Sequence, residues 1–378
     1  MTWLGELLTL AERERWPQLF TNFFTWDDLR GGLIPTPFVD FGLLPSIGLY
    51  FFWNDVGAPG HQLRANVAFG GVDLQRGTFR DRVLLAPGVE FSTRFDAWRR
   101  PDWPFQGIGY ATSQSNRARY RRESLDASLD LVLRPWRRSS LVVLAGIRAM
   151  ELDPDGYGGD EPSLASSVAG GSMNELPPGF TGFVAYRQRV VATLDTRDET
   201  PGGGHALRVD ALGEQGFDLS VPLARSWVRY GAAIAGFLDA GADRVFSLHA
   251  RAAFVDPLGT EPVPFTELAT LGGNVLDMPG YLPGSIVDRS AIVATARYRW
   301  PVWVWLDASL FLASGNVFYE HLRDFAFERL RLSWGLILQS LGDRDAGFRA
   351  GLGFGTRALD QGGDVESVRF TIGGTLGF

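Results

Sequence analysis

The chain has 378 residues, a net charge of −7 and no cysteine, and all 36 of its basic residues are arginine. An acidic chain lacks the basic surface that neutralises phosphates, so nucleic acid is not an expected partner. Without cysteine, neither a disulfide scaffold nor a thiolate metal site can form. No run reaches the ~18 apolar residues of a membrane helix, and the N-terminus lacks a signal-peptide pattern. If the protein is exported, we expect that its signal peptide has been removed.

The N-terminal segment, residues 1–30, carries the one clear helical pattern. Apolar residues recur at helical spacing over residues 3–16, at Trp3, Leu4, Leu7, Leu8 and Ala11. The pattern predicts a short amphipathic helix. Such a helix could pack on the body of the protein, lie on a membrane surface or plug a pore.

From residue 31 onwards the sequence alternates between apolar and polar residues. Segment 124–133 places leucine and alanine on one face and aspartate and serine on the other, and segments 329–338, 347–356 and 368–378 repeat this alternation. A period of two indicates β-strands with one apolar face.

Three features favour a transmembrane barrel over a soluble sandwich. The strands approach the ~9–11 residues that cross a bilayer at a tilt, and their apolar faces are almost free of charge. Aromatic residues cluster near strand ends in segments 97–105, 134–139 and 298–305, which is typical of interfacial girdles. Lipid cannot satisfy unpaired backbone groups, so the strands are expected to close into a barrel.

Residues 31–378 leave room for an all-β, antiparallel barrel of about 16 strands, within the range of bacterial barrels. Segments 134–139 and 239–244 are predicted short periplasmic turns. Long outer loops are predicted near residues 153–180 and 256–290.

The sequence offers no case for an enzyme or a cofactor. No histidine pair has metal-ligand spacing among His61, His205, His249 and His321. No GxSxG nucleophile motif is present either. We therefore expect a protein without catalytic residues.

Two motifs are more specific than the alternation that any barrel strand shows. The first is a strand–turn segment. "LDTRDETPGGGHALRVD" spans Leu194–Asp210 and contains Asp195, Thr196, Arg197 and Asp198 before a proline–glycine turn. It resembles the DTRD signature of the bacterial surface-antigen superfamily, the barrel of BamA, TamA and FhaC.

The second motif is a long loop followed by two strands. "TLGGNVLDMPGYLPGS", residues 270–285, holds Leu271, Gly272, Gly273, Asp277, Pro279, Gly280 and Tyr281. It resembles the family's lid loop, and "ARYRWPV" (296–302) and "ASGNVF" (313–318) resemble the strands after it. The chain also ends on an alternating strand with Phe370, Ile372, Leu376 and a terminal aromatic residue, Phe378, which resembles the strand signal read by barrel-assembly machinery.

The chain departs from the family where charges are expected. The resemblance implies a lid arginine that pairs with acids on the barrel wall, but the matching positions here are Pro279, Arg297 and Ala313. A buried charge without its partner is costly, so the joint loss of all three is physically consistent. The soluble POTRA domains that usually precede this barrel are also missing from the sequence, which predicts a minimal, POTRA-less member.

The sequence allows two alternative ion pairs in place of the family's pairing of a lid arginine with wall acids. Alternation places Arg297 and Arg299 on the inner face of one strand, with Asp307 on the inner face of the next. The lid could pair Asp277 with Arg297 in a lock of reversed polarity. Alternatively, Arg297 pairs with Asp307 across neighbouring strands.

The resemblance implies a Gram-negative outer-membrane protein that inserts or translocates proteins through a weak joint between its first and last strands. Its partners would be membrane lipid and periplasmic or outer-membrane proteins. Two alternatives remain: a scaffold or anchor of an envelope complex, and a passive pore or a conduit for lipid or a small molecule.

Overall fold

The computed structural model describes residues 9–10, 13, 22–27, 29–197, 205–273, 276–304, 306–340 and 346–376. Sixteen long strands make up most of this part and are numbered β1 to β16 in chain order. Their bounds are Gly31–Asp40, Ser46–Asn54, His61–Phe69, Gln75–Ala86, Val89–Phe105, Ala118–Leu133, Ser140–Asp153, Phe183–Asp195, Ala206–Asp218, Ser226–Asp239, Val245–Pro257, Ser290–Trp303, Leu306–Phe318, Arg331–Ser340, Ala346–Thr356 and Val365–Leu376.

The strands form one closed antiparallel barrel. Each strand pairs with its neighbour in sequence, and β16 pairs back with β1. Closure follows from the solvent, because lipid offers no partner to an unpaired backbone N–H or C=O group. The predicted all-β barrel of about 16 strands is confirmed.

Side chains alternate between a lipid-facing exterior and a charged lumen. On β6, Leu125 and Leu129 are 44% and 52% exposed, whereas Asp130 is 8% exposed and faces inward. On β14, Arg331 and Ser333 are fully buried in the lumen. The apolar exterior is what a bilayer requires, and many of the inward charges form ion pairs with one another, such as Arg187 with Asp126 and Arg331 with Glu366.

The two ends of the barrel differ. Residues 134–139 and 240–244 form short turns at one end, and residues 154–182 and 258–289 form long loops at the other. Both pairs lie where the sequence predicts them. Bacterial barrels carry short periplasmic turns and longer extracellular loops, which places the long-loop end outside the cell.

An aromatic cluster packs the long loops over the lumen. Phe265 lies 5.3, 5.5 and 5.9 Å, between ring centroids, from Phe105, Tyr120 and Phe180. Phe180 and Phe265 come from the two long loops, whereas the other two rings come from strands. The cluster therefore ties both loops to the extracellular rim.

Two tryptophans depart from the predicted girdle. Trp98 and Trp103 of β5 pack edge to face at 5.4 Å and line a cavity in the lumen. Trp98 shares the inner face with Arg100, and the register shifts between Arg100 and Trp103. A bulge of this kind changes which face a side chain occupies, so Trp103 is turned inward as well.

Helical structure is sparse in the described residues. One short helix, α1, spans Leu164–Ala169 and is capped by the Ser163 hydroxyl. No helix in the described ranges is long and apolar enough to cross a membrane. The helix predicted over residues 3–16 lies largely outside the described residues, so it stays a prediction.

Placing a charge on the lipid face tests the orientation of β6. We expect Leu125→Arg to destabilise the barrel in vesicles by about 2–4 kcal/mol, because a cation near the bilayer midplane loses its hydration. Leu223→Arg is the matched control, since Leu223 is 94% exposed in the loop after β9. Urea unfolding in vesicles measures both, and equal stabilities would contradict the assignment of faces.

Candidate functional site

The loop between β11 and β12 folds back into the barrel. Two short stretches of it, Ala269–Leu271 and Ile286–Asp288, pair antiparallel, so the chain enters and leaves the lumen as a narrow hairpin. Residues 265–288 are called the lid below. Its buried apolar side chains are Phe265, Leu268, Ala269, Leu271, Met278, Tyr281, Leu282, Ile286 and Val287.

The tip of the lid, residues 278–281, rests on the inner wall of the last three strands. The Gly280 N–H donates to Ser333 Oγ of β14 at 2.9 Å, and Ser367 Oγ of β16 donates to the Gly280 carbonyl at 2.5 Å. The Tyr281 hydroxyl donates to a backbone carbonyl of β15. The lid tip is thus fixed to the barrel wall by hydrogen bonds from three strands.

Glycine at the tip permits direct contact between the lid backbone and the wall. A Cβ atom on Gly280 would lie 2.1 Å from the Phe354 carbonyl oxygen, and one on Gly353 would lie 2.9 Å from Gly280 Cα. Real Cβ atoms do not approach other atoms so closely. These two glycines therefore set the depth to which the lid enters.

The joint between β16 and β1, called the seam below, is the shortest in the barrel. Residues Thr371–Gly373 pair with Phe38–Asp40, three residue pairs in all. The other neighbouring strands are joined by seven or more pairs over the described residues. Within the described ranges, β16 does not pair with the periplasmic half of β1. On that edge, Gly31 and Gly32 of β1 pair instead with Trp26 and Thr25.

One buried guanidinium joins the seam to the lid. Arg369 of β16 donates two hydrogen bonds, of 2.8 and 2.7 Å, to the carboxylate of Asp40 on β1. It also donates to the Pro279 carbonyl at the lid tip, at 3.2 Å. Both charged side chains are buried, and loss of one partner from such a pair costs about 3–5 kcal/mol.

The contact at Pro279 reverses the polarity that the sequence resemblance implies. The family pattern places a cation on the lid and acids on the wall. Here the wall supplies the cation, Arg369, and the lid supplies a carbonyl oxygen. Ala313, at one of the family's acid positions, lies fully buried in the apolar core, where a carboxylate would lack a partner.

The lid acid Asp277 pairs with a different arginine from the one predicted. Its carboxylate lies 3.2 Å from Arg251 of β11, so the pairing with Arg297 is not formed. The lid reaches β12 at Thr295, whose hydroxyl donates to a lid carbonyl at 2.8 Å. It enters from the extracellular end, and this contact on β12 falls two residues before Arg297.

The alternative pair, Arg297 with Asp307, is not formed either. Arg297 donates to Ser309 Oγ and Gln339 Oε1 at 2.7 and 3.0 Å, and Asp307 pairs with Arg299 at 3.1 Å. The strand register explains this choice. Asp307 lies opposite residue 301 of β12, two residues closer to Arg299 than to Arg297.

A second anchor holds the base of the lid. Glu267 is fully buried, and its carboxylate lies 2.7 Å from Arg148 of β7 and 3.6 Å from Arg229 of β10. Burial alone would raise the pKa of Glu267, but the charges of Arg148, Arg229 and Arg187 hold that pKa below its usual value. This ion pair also has an acid on the lid and cations on the wall.

The strand–turn motif lies at the opposite end of the barrel from the lid. Asp195 is buried and pairs with Arg197 at 2.6 Å, and its backbone N–H donates to Ser139 Oγ at 3.0 Å. These contacts tie two periplasmic turns together. Asp198 lies outside the described residues.

The residues predicted as a C-terminal strand signal flank the seam. Phe370 packs edge to face on Phe41 at 5.6 Å, and Ile372 lies opposite Val39. Leu376 ends β16, and Phe378 lies outside the described residues. The role of these residues as a signal stays a prediction.

Sequence reasoning missed Asp40, Arg369, Arg251 and Glu267. Alternation in "SVRFTI" places Arg369 on an inner face, which was the available signal. Its partner Asp40 stands 329 positions away, and no local pattern connects the two. Only barrel closure brings them together.

Neutralising the lid anchor tests its role. Glu267→Gln keeps the side-chain shape but removes the charge, so we expect the docked lid to lose roughly 3–5 kcal/mol of stability. Single-channel conductance in planar bilayers should rise above that of the native protein. Glu261→Gln, exposed on the same loop, should conduct as the native protein does, and low conductance in both variants would contradict the anchor.

The lowered pKa of Glu267 predicts a pH dependence. A carboxylate with a lower pKa in the folded state stabilises it at neutral pH, and this contribution is lost as the pH falls through the folded pKa. That pKa lies below the usual ~4.3, so conductance should stay low down to about pH 5 and rise only below about pH 4. Glu267→Gln should show no such transition. A rise in the native protein between neutral pH and about pH 5 would exclude Glu267 as its cause.

The barrel is similar to three solved structures. BamA from Haemophilus ducreyi, lacking POTRA domains 1–3, matches with a TM-score of 0.61 and 14% identity over 91% of this chain and 70% of that one. CdiB from Acinetobacter baumannii matches with a TM-score of 0.56 and 12% identity, over 92% of this chain and 59% of that one. CdiB from Escherichia coli matches with a TM-score of 0.56 and 10% identity, over 90% of this chain and 62% of that one.

This chain therefore spans less than two thirds of either CdiB chain, at 59% and 62%. No family model and no curated protein sequence matches it. The protein is an integral outer-membrane β-barrel with the fold of BamA and CdiB, the fold that its sequence motifs predict.

Proposed function

We propose that this barrel inserts proteins into the outer membrane or moves them across it, that it acts with partner proteins, and that it is not an enzyme. The observation that carries this proposal is the three-residue seam, held by the Asp40–Arg369 pair and coupled to the lid. A barrel built only for stability gains nothing from one short joint. A barrel that opens sideways needs such a joint.

The uncovered edge of β1 suits an incoming strand. Backbone N–H and C=O groups at the edge of a sheet accept further strands by hydrogen bonding. β16 leaves half of this edge of β1 uncovered. Among the described residues, only Thr25 and Trp26 pair with that half. A client strand would displace this short segment and extend the sheet from β1.

The Thr25–Trp26 segment is built to be a replaceable cover. The Trp26 indole fills the space beside Gly31, where a Cβ atom would lie 2.4 Å from its Nε1. A pairing of two residues covers much less of the edge than a full strand would. The segment can therefore protect the edge at rest and yield to a longer strand.

The docked lid disfavours a passive pore. Its tip and base are both fixed to the wall, through Gly280 and Glu267, in the lumen that solutes would cross. The lid contacts β14, β15 and β16, the strands next to the seam. Opening of the seam is thus linked to movement of the lid, as lateral release of a client requires.

A disulfide across the seam tests the proposal, and the absence of native cysteine makes the bond unambiguous. Val39→Cys with Ile372→Cys joins opposed residues of β1 and β16. We expect the cross-linked protein to fold but to lose its function in the native organism. The measurement is the abundance of outer-membrane and surface proteins in cells that carry only this variant, before and after reduction.

Leu49→Cys with Val67→Cys is the matched control, because these opposed, outward-facing residues join β2 to β3. It should leave the envelope proteome unchanged. Normal client levels with the seam fully cross-linked would overturn lateral opening and favour the scaffold alternative. Proteins that co-purify with the native barrel would identify its partners.

A further inference from the structure

The hairpin of β5 and β6 extends beyond the strands next to the seam. Gln75, the first residue of β4, lies opposite Arg99 of β5, so residues 100–105 of β5 continue past the extracellular end of β4. There they pair with β6 alone. The loop at the tip of this hairpin, residues 106–117, is called the strap below. Hairpin and strap together stand above the mouth of the barrel, where they can contact other strands.

The hairpin holds the loop that follows β1. The Leu44 N–H donates to Asp102 Oδ2, and the Leu44 carbonyl accepts from Arg100 Nη2 at 3.1 Å. Arg100 and Asp102 are buried and pair with each other at 2.6 Å. Both polar backbone groups of Leu44 are thus bound to one buried ion pair. The extracellular end of β1 is therefore fixed to β5.

The strap holds the extracellular end of β16. Glu366 Oε2 accepts from Ser113 Oγ at 3.0 Å and from the Gln114 N–H at 3.2 Å, and its other oxygen accepts from Arg331 of β14. The register between β15 and β16 shifts beside Glu366, which has no opposed residue on β15. Such a bulge redirects a side chain, and here the carboxylate is buried under the strap.

The backbone of the strap is bound by the same part of the wall. Arg331 Nη2 donates to the Tyr110 carbonyl at 3.0 Å and to the Thr112 carbonyl. Asn316 of β13 donates to the Tyr110 carbonyl at 3.2 Å. Arg331 and Asn316 are fully buried. The strap thus crosses the mouth from β5 and β6 to β13, β14 and β16, which lie on the opposite side of the barrel.

One hairpin therefore holds both sides of the seam, β1 through Leu44 and β16 through Glu366. The three residue pairs of the seam lie at this same end, at Phe38–Asp40 of β1. At the periplasmic end, the described part of the chain shows only the short Thr25–Trp26 segment on this edge of β1. Resistance to separation of the two strands is concentrated at the extracellular end.

We infer that the β5–β6 hairpin is an extracellular clamp, so that the seam opens from its periplasmic end and pivots about its extracellular end. Complete separation of β1 from β16 then requires the strap to leave Glu366. The inference rests on the lateral opening proposed above. It adds the direction of opening and the contact that controls it.

Distances between pairs of spin labels, measured by pulsed electron paramagnetic resonance in lipid nanodiscs, test the clamp. The chain has no cysteine, so labelling is specific. Ile47→Cys with Leu352→Cys, the extracellular pair, reports on one half of the seam. Trp53→Cys with Phe348→Cys, the periplasmic pair, reports on the other half. All four side chains are exposed on β2 and β15, the strands that flank β1 and β16.

Asp40→Asn weakens the seam, because it removes the ion pair with Arg369. We expect this variant to lengthen and broaden the distance of the periplasmic pair and to leave that of the extracellular pair unchanged. Addition of Glu366→Ala should lengthen the distance of the extracellular pair as well. Glu328→Ala is the matched control, since Glu328 is exposed on the neighbouring extracellular loop, and its addition should change neither distance.

A second strap variant leaves the ion pair of Glu366 with Arg331 intact. Ser113→Ala with Gln114→Pro removes both donors from the strap to Glu366. Proline fits at position 114, because Ser113 is extended, with φ of −128° and ψ of 152°, and a helical turn begins at Gln114. In the Asp40→Asn background, this variant should also lengthen the distance of the extracellular pair. Heat-dependent gel migration shows whether each variant is folded.

The outcomes separate the clamp from the proposed function. The clamp is overturned if Asp40→Asn alone lengthens the distance of the extracellular pair. It is equally overturned if that distance stays short in both strap variants while the distance of the periplasmic pair lengthens. Either result leaves lateral opening intact. Native distances for both pairs in every folded variant would instead overturn lateral opening, and the clamp with it.

Discussion

Closure of the backbone ladder in lipid is the constraint on which this structure depends. No water in the bilayer can satisfy the edge of an open sheet, so β1 and β16 have to meet. They meet over three residue pairs, supplemented by the buried ion pair of Asp40 with Arg369. A joint that is structurally obligatory is thus also the one with the fewest residue pairs, and the rest of the site is arranged around it.

The lid and the seam share one cation. The planar guanidinium of Arg369 binds both carboxylate oxygens of Asp40 and still has a donor for the Pro279 carbonyl. Lysine could not form this fork, which gives a physical reason for arginine here. With the cation on the wall, an arginine at the lid tip would add a second buried positive charge. Proline at the tip, with Arg297 and Ala313 on the wall, is consistent with that requirement.

The fold could be predicted from the sequence because its determinants are local. Alternation along each strand identifies the lipid face, as in segment 124–133, and strand length indicates a bilayer. Turn composition separates the short end from the long end. The predicted girdle failed at Trp98 and Trp103, because the orientation of Trp98 depends on the register of β5 and that of Trp103 on a bulge that no local pattern reveals.

By itself the sequence determined the barrel, its approximate strand number, its family resemblance and the existence of a lid at residues 270–285. Only the tertiary structure decided which charges meet. Asp277 binds Arg251 rather than Arg297, and Arg369 finds Asp40 at the other end of the chain. The physical reason is that alternation along a strand specifies whether a side chain faces the lumen or the lipid, but not its position along the barrel axis. Ion pairs form only between side chains that come close together in the lumen. Strand register, barrel closure and the depth to which the lid enters decide which side chains do so.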